Sequence, residues 1–472
     1  MPASAKWIAI LVCCAVSVAL GQTKRLYVEP FATKEGSEKL REEVIAALRK
    51  QSLITLVSDE SSADLILGGG GEIWVKGYRS LNPRSGRSPG NGTPFYGGYL
   101  SVELRDQKGE TLWGDLVTPS AGAEDVSKDL AKRIAKHAAE ALEKGIASSR
   151  TAPLQQPQTV LTGAGATFPY PVYSKWFTNY RRENPNVEIV YKPVGSEAGV
   201  RSLLAGEVDF GASDNPEAIR QLAGEEGKYL LFPSVVGAVV PIVNLPGIEG
   251  EIQFTPEALA GIYLGKINKW NDPILTRANR GIRLPDQDIV VVHRADGSGT
   301  SYAWTDFLSK TNPEWKSEVG CSMTPKWPTG RAATGNEGVA KTVKEFGGSI
   351  GYVEFIYALQ NHVSFGKVRN RGGEFVGASL EALSLAASDS VEINEDFKVS
   401  IVNAVGAGAY PIASFTWLVV PAQIMDETKR NAIVGFLKWM LAPGQAQAAA
   451  LGYLALPKEL VSKEIAAIGR IH

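Results

Sequence analysis

The sequence predicts an α/β protein whose strands deliver glycine-rich turns to helix N-termini, and three observations carry that reading. The same order of apolar run, Gly/Ser turn and amphipathic helix occurs at 161–180, 187–204 and 289–308. The chain has 472 residues, enough for two or three domains. Its composition, 44% hydrophobic, 21% charged and 8% aromatic, suits a protein with buried cores. A formal net charge of -1 excludes the concentrated positive field that a nucleic-acid binder or a polybasic membrane-surface protein needs, so any anion site must be local.

Taken in order, Lys6 precedes the apolar run Trp7 to Leu20, which is short for a membrane span. Ala19 and Gly21 stand three and one residues before a cut preceding Gln22, the small-residue pattern of a signal peptide over 1–21; an uncleaved anchor is the competing reading. Cys13 and Cys14 fall inside the run and neither follows the small residue expected ahead of a lipidated cysteine, so a cleaved soluble protein is expected. Cleavage would leave Cys321 alone, without a disulfide partner. His137, His293, His362 and His472 lack ligand spacing, and neither a metal nor a cofactor is expected.

Residues 22–147 read as a small α/β domain. Strands are predicted at 25–28, 54–57, 65–67, 73–75 and 99–104, and Leu40, Val44, Ala47 and Leu48 form a helical stripe. A second helix over 127–144 buries Leu130, Ile134 and Ala138. The Gly/Pro-rich stretch 81–98, with Arg79, Arg84 and Arg87 nearby, reads as an exposed hairpin loop, with a polyanion grip as the alternative. Gly68 to Gly71 are not followed by Gly-Lys-Ser/Thr and do not form a phosphate-binding loop of the nucleotidase kind. Residues 148–158 have the Ser/Pro/Gln content of a linker.

Beyond the linker, strand 161–165 ends in Gly163 and Gly165 and leads to Thr167, Phe168 and a helix bearing Tyr173, Trp176, Phe177 and Tyr180. Strand 187–192 leads to Gly195, Ser196 and a helix burying Val200, Leu203 and Leu204, then a strand that ends at Asp214. The stretch HRADGSGTS, 293–301, follows the apolar run 289–292 and precedes a helix with Tyr302, Ala303, Trp304, Phe307 and Leu308. At such helix starts backbone N–H groups lack partners and the dipole is positive, which suits an anion. Gly297 and Gly299 permit close approach, Ser298, Thr300 and Ser301 add hydroxyls, and Arg294 supplies a planar charged fork. The bland readings are a turn with an N-cap, and an Asp296 that only pairs with Arg294.

The segments GAGATFP, DFGASD, RADGSGTS and GNEGVA, with IYLGKINKW, KWPTG and GSIGYVEF, resemble the periplasmic phosphate-binding proteins of bacterial phosphate ABC importers over about residues 159–460. The resemblance implies a type II periplasmic-binding fold of two lobes and a hinge, preceded here by the small α/β domain. It places lobe one at 159–238 plus 416–472, lobe two at 239–415, and the crossings near 239–243 and 413–417. By the same resemblance inorganic phosphate would be bound by Thr167, Phe168, Ser196, Asp214, Arg294, Ser298, Gly299 and Thr300, with Asp296 holding Arg294. Asp214 would accept a hydrogen bond from a proton on the phosphate, and a ligand without that proton, such as sulfate, would leave the carboxylate unpaired. For Asp214 the competing reading is a helix N-cap before Pro216.

Glu197 departs from the small residue the family has there; turned outward it favours the helix dipole, turned inward it repels an anion. Hydrolysis by His293 and Ser298 is the competing class, but Gly297-Ser298-Gly299 is not the spaced G-x-S-x-G elbow and no orienting third group is marked. The expectation is capture without chemistry: an exported monomer that closes on phosphate and docks on an inner-membrane importer, with no catalytic residue and no nucleic-acid partner. An envelope sensing or tethering protein that uses residues 22–147 as its interaction module is the alternative.

Overall fold

The computed structural model describes residues 23–31, 37–79, 93–109, 111–120, 123, 125–143, 159–224, 227–248, 250–388 and 396–472. The expected signal peptide over 1–21, the linker over 148–158, and Arg84 and Arg87 lie outside the described residues.

The first unit is a five-stranded sheet with two helices packed on it. Strands β1 (Lys24–Val28), β2 (Ile54–Leu56), β3 (Leu65–Arg79), β4 (Thr93–Asp106) and β5 (Thr111–Val117) lie in the order β2-β1-β3-β4-β5. Helices α1 (Ser37–Leu48) and α2 (Val126–Glu143) bury Leu40, Val44, Leu48, Leu130, Ile134 and Ala138 in a core of its own, as their 3.6-residue spacing requires. Two expectations need correction, and β5 lies outside the strands expected from the sequence. The strands expected at 65–67 and 73–75 are one strand running through the four glycines, residues that usually weaken a strand. Here a Cβ on Gly71 would stand 2.6 Å from the Tyr99 carbonyl oxygen and 2.9 Å from Leu40, so glycine admits α1 close to the sheet. The expected loop is shorter than 81–98, because 93–98 belong to β4. β5 carries no clean alternation, since Gly114 and Asp115 interrupt it; Gly114 faces Ala450, 2.9 Å from where a Cβ would be.

The larger part is built on a nine-stranded sheet in the order β12-β11-β13-β9-β17-β8-β6-β7, with β14 on β9. Its first half comprises β6 (Thr159–Gly165), α3 (Tyr170–Glu183), β7 (Val187–Lys192), α4 (Ser196–Leu204), β8 (Phe210–Ser213), α5 (Ala218–Ala223) and β9 (Tyr229–Asn244). The second half adds β10 (Gln253–Phe254), α6 (Pro256–Tyr263), α7 (Pro273–Ala278), β11 (Val290–Arg294), α8 (Gly299–Thr311), α9 (Pro313–Glu318), β12 (Arg331–Ala333), α10 (Gly335–Glu345), β13 (Ser349–Glu354), α11 (Phe355–Gln360) and β14 (Ser364–Phe365). The chain then forms β15 (Lys367–Arg369), β16 (Phe375–Val376) and α12 (Leu380–Ser388), and returns to the first half through β17 (Ala413–Pro421), α13 (Glu427–Trp439), α14 (Gln445–Ala448) and α15 (Lys458–Ile468).

β9 joins the two lobes. Its residues 229–238 pair with β17, whereas 239–244 pair with β13, so the partner changes between Ala238 and Val239. On one side of this crossing β6 runs parallel to β7 and β8; on the other β11 runs parallel to β12 and β13. Parallel strands need crossover helices, and their C-terminal ends line the crevice between the halves. The first lobe packs Tyr173, Trp176, Phe177 and Tyr180 against Phe210 and Phe436, and the second packs Tyr263, Trp304 and Tyr352 together. Leu204 is only partly buried, at the rim of a smaller cluster in which Val200 and Leu203 from α4 meet Met323 of the second lobe.

Candidate functional site

Each predicted turn stands where a parallel strand ends and a helix begins. β6 ends at Gly165, which at φ 149° presses against Ala212 of β8 and releases the chain into Thr167 and Phe168. After β7, Gly195 at φ 98° opens α4, whose first residue is Ser196. β11 ends at Arg294, Ser298 caps α8 by accepting from the Ser301 N–H at 3.1 Å, and Gly299 and Thr300 form its first turn. Ser298 spends its own N–H on the Met323 carbonyl, so its hydroxyl is what it offers the crevice.

Tertiary structure brings these turns to one place. Ser196 Oγ accepts from the Gly299 N–H at 3.1 Å and from the Asp214 N–H at 3.3 Å, so one hydroxyl touches both lobes and the acid at the end of β8. The Glu197 N–H donates to the Gly297 carbonyl at 3.1 Å, a second link across the crevice. Phe168, Ser196, Asp214, Arg294, Ser298 and Thr300 are each 3% exposed or less. Among the described residues the N–H groups of Phe168, Ser196 and Thr300 have no hydrogen-bond partner. Buried donors without partners are rare in folded proteins, and here they gather at helix starts.

The charges are arranged around them. Arg294 is buried, donates from Nε to Asp296 Oδ1 at 2.8 Å, and pairs through Nη2 with Oδ2. Its Nη1 approaches the Thr300 hydroxyl at 3.4 Å. Burial alone would raise the Asp296 carboxyl, but the hydrogen bonds and charge of Arg294, with the Gly335 N–H at 3.0 Å, hold it below the usual carboxylate range. Asp214 has the opposite fate. Desolvation lifts it to about 7, against the pull of the Thr416 hydroxyl, 2.5 Å from Oδ1, of Arg294 and of Ser196. Asp214 does not cap a helix: the Asn215 side chain takes the Glu217 N–H, at 2.9 Å.

Glu197 lies at the edge of the crevice, its side chain against Gly297 of the second lobe, and is paired along its own helix. Its Oε1 accepts from Arg201 Nη2 at 2.7 Å and from Nε at 3.0 Å, an i,i+4 pair along α4. His293 stacks on Trp327 with ring centroids 4.9 Å apart, and Ser298 is committed to its cap, so the two do not form a nucleophile and base. No group of three or more His, Cys, Asp or Glu that could hold a metal ion exists among the described residues.

Several residues at the site were not singled out from the sequence. Asn336, buried in the first turn of α10, donates to the Thr167 hydroxyl at 2.9 Å and to the Thr300 hydroxyl at 3.3 Å. A signal for it existed: β12, Gly335 and α10 are a fourth strand, glycine and helix start. Thr416, Tyr357, Tyr453 and Glu354 carried none, because each reaches the site across long stretches of chain.

A family model described as the PBP superfamily domain matches residues 97–443. The chain is similar to the phosphate-binding protein PstS of Pasteurella multocida, 42% identical over 310 residues that span 65% of this chain and 89% of that one. It is similar to the phosphate-binding protein PstS of Xylella fastidiosa, strain Temecula1, at 43% over 321 residues, 67% of this chain and 87% of that one. Among solved structures, a high-affinity periplasmic phosphate-binding protein bound with phosphate shares the fold, with a TM-score of 0.52, 23% identity, and coverage of 65% of this chain and 93% of that one.

Proposed function

Because the chain belongs to the PBP superfamily and, within it, to the PstS family of phosphate-binding proteins, we propose that it captures inorganic phosphate between its lobes outside the cytoplasm and delivers it to an inner-membrane ABC importer. The observation that carries the reading is the meeting of Gly299, Ser196 and Asp214 across the crevice beside Arg294, with unpartnered N–H groups buried around them. In this reading the backbones of Phe168, Ser196 and Thr300 and the hydroxyls of Thr167, Ser196, Ser298 and Thr300 donate to the anion, while the Gly299 N–H, spent on Ser196 Oγ, holds that hydroxyl toward it. Arg294, steadied by Asp296, supplies charge, and Asp214 accepts the ligand's proton. Closure follows because the anion favours the arrangement in which both lobes reach it. The protein performs no chemistry and works as a monomer, exported by a cleaved signal peptide. No helix among the described residues is long and apolar enough to cross a membrane.

Titration calorimetry of the ligand-stripped protein tests this: heat with phosphate and none with sulfate is expected, and silence with phosphate would end the proposal. A second reading, envelope sensing or tethering, draws on the first unit having its own sheet and its own core among its described residues, from Lys24 to Glu143. Removing that unit decides between them. Unaltered phosphate uptake would make it an accessory, whereas loss of a bound partner with uptake intact would favour tethering.

A further inference from the structure

The turn that presents the Phe168 N–H is held at two successive carbonyls by tyrosines far away in sequence. Tyr357, on α11 of the second lobe, donates its hydroxyl to the Thr167 carbonyl at 2.7 Å. That carbonyl and the Phe168 N–H belong to one planar, resonance-coupled unit, so a donor on the oxygen draws electron density from the nitrogen and strengthens the N–H as a donor. Thr167 lies in the first lobe and Tyr357 in the second, so the contact requires closed lobes. Tyr453, in the first lobe, donates to the next carbonyl, that of Phe168, at 2.6 Å.

Tyr453 Oη also lies 3.1 Å from Glu354 Oε2. Both acceptors stand within reach of the one phenol proton; with that proton on the shorter contact to Phe168, the 3.1 Å contact is filled when the acid carries a proton and donates. Glu354 suits that role. It is 0% exposed, desolvation holds its carboxyl well above the ordinary value, and Oε1 has no partner. Its Oε2 accepts from the Ile356 N–H at 2.9 Å, and its own N–H donates to Asn336 Oδ1 at 3.0 Å. It sits opposite Val239 in the β13–β9 pairing, at the point where β9 changes lobe.

We infer that Tyr357, Tyr453 and Glu354 are positioning residues of the anion site: Tyr357 polarises the Phe168 donor once the lobes have closed, and Glu354, donating to Tyr453, fixes the same turn from the hinge side. The inference rests on the phosphate reading above.

Stopped-flow association and dissociation of inorganic phosphate, with thermal melting of the ligand-free chain, tests it. Tyr357→Phe, which keeps the ring, is expected to speed dissociation roughly tenfold, the worth of about one strong hydrogen bond, with association changed less than about twofold. Tyr453→Phe behaves likewise. Glu354→Gln, which keeps a donor toward Tyr453, stays near wild type, whereas Glu354→Leu dissociates as fast as Tyr453→Phe. An unchanged dissociation rate in Tyr357→Phe, or an effect seen only in melting, overturns the inference while wild type still binds. A Glu354→Gln variant as impaired as Glu354→Leu overturns the donor role of the acid. Failure of wild type to bind phosphate overturns this inference and the proposed function together.

Discussion

Replacing Asp214 by asparagine tests the proton logic of the site most directly. In the folded chain burial opposes its charge and pushes its carboxyl up to about 7, from an ordinary value of 3.8. The sign follows from proton binding: between these values the folded state holds a proton that the unfolded chain has released, so stability falls as pH rises from about 4 to 7. Above pH 7 the cost approaches about 4 kcal/mol, at 1.36 kcal/mol for each tenfold change in proton affinity. Asp214→Asn removes that cost, so the ligand-free variant should melt higher than wild type at pH 8 and almost with it at pH 4. Binding should move the other way. Above pH 7, where Asp214 is ionised and only accepts, the asparagine amide can instead donate, which leaves the proton on phosphate without its acceptor and welcomes sulfate. A hydrogen bond to a charged group is worth about 1.5–3 kcal/mol, so phosphate affinity should fall roughly 10- to 150-fold, and sulfate heats should appear in the calorimeter. A variant that still ignores sulfate, or whose melting temperature tracks wild type from pH 4 to 8, would refute the reasoning.

Other substitutions probe closure and charge. Gly299→Ala places a Cβ about 2.5 Å from Ser196 Oγ and 2.6 Å from Asp214 Cβ, so the lobes should fail to close; small-angle scattering with excess phosphate should show the extended form, and compaction equal to wild type would contradict the packing. Arg294→Lys loses the fork that grips both oxygens of Asp296 and should weaken phosphate binding by about 2 kcal/mol in calorimetry; an unchanged affinity would mean that the fork is dispensable. The first unit touches both lobes, through Ser101 Oγ on the Ala450 carbonyl at 2.5 Å, Lys175 on Glu103 at 3.2 Å, and a Glu72–His362 pair. Glu72→Ala should therefore favour opening by about 1 kcal/mol, read as faster hydrogen exchange along 238–244; exchange identical to wild type would show that the pair does not bear on the hinge.

Local chemistry made much of the molecule legible in sequence. Periodicity placed α1, α2, α3, α4 and α8, because an amphipathic helix must bury one stripe, and the glycine turns marked where strands hand over to helices. Arg294 and Asp296 are two residues apart, so their pairing could be expected from the motif alone. Periodicity failed where a residue's reason lies elsewhere in the chain. Gly71 and Gly114 look like strand breakers until Leu40 and Ala450 are seen to need the space. The pairing of Glu197 with Arg201 one helical turn away competes with others and is settled only by the packed arrangement, which also sets its side chain against Gly297.

The sequence by itself determined the α/β class, the order of the turns, and the donors and charges available to an anion. Only the tertiary structure decided that Ser196 and Gly299 meet, that Asp214 is dry enough to hold a proton near neutrality, and that Tyr357, Tyr453 and Glu354 stand behind the first turn. The physical reason is that desolvation and hydrogen bonding between distant residues are properties of the closed crevice. They exist only once strands some hundreds of residues apart in sequence share one sheet.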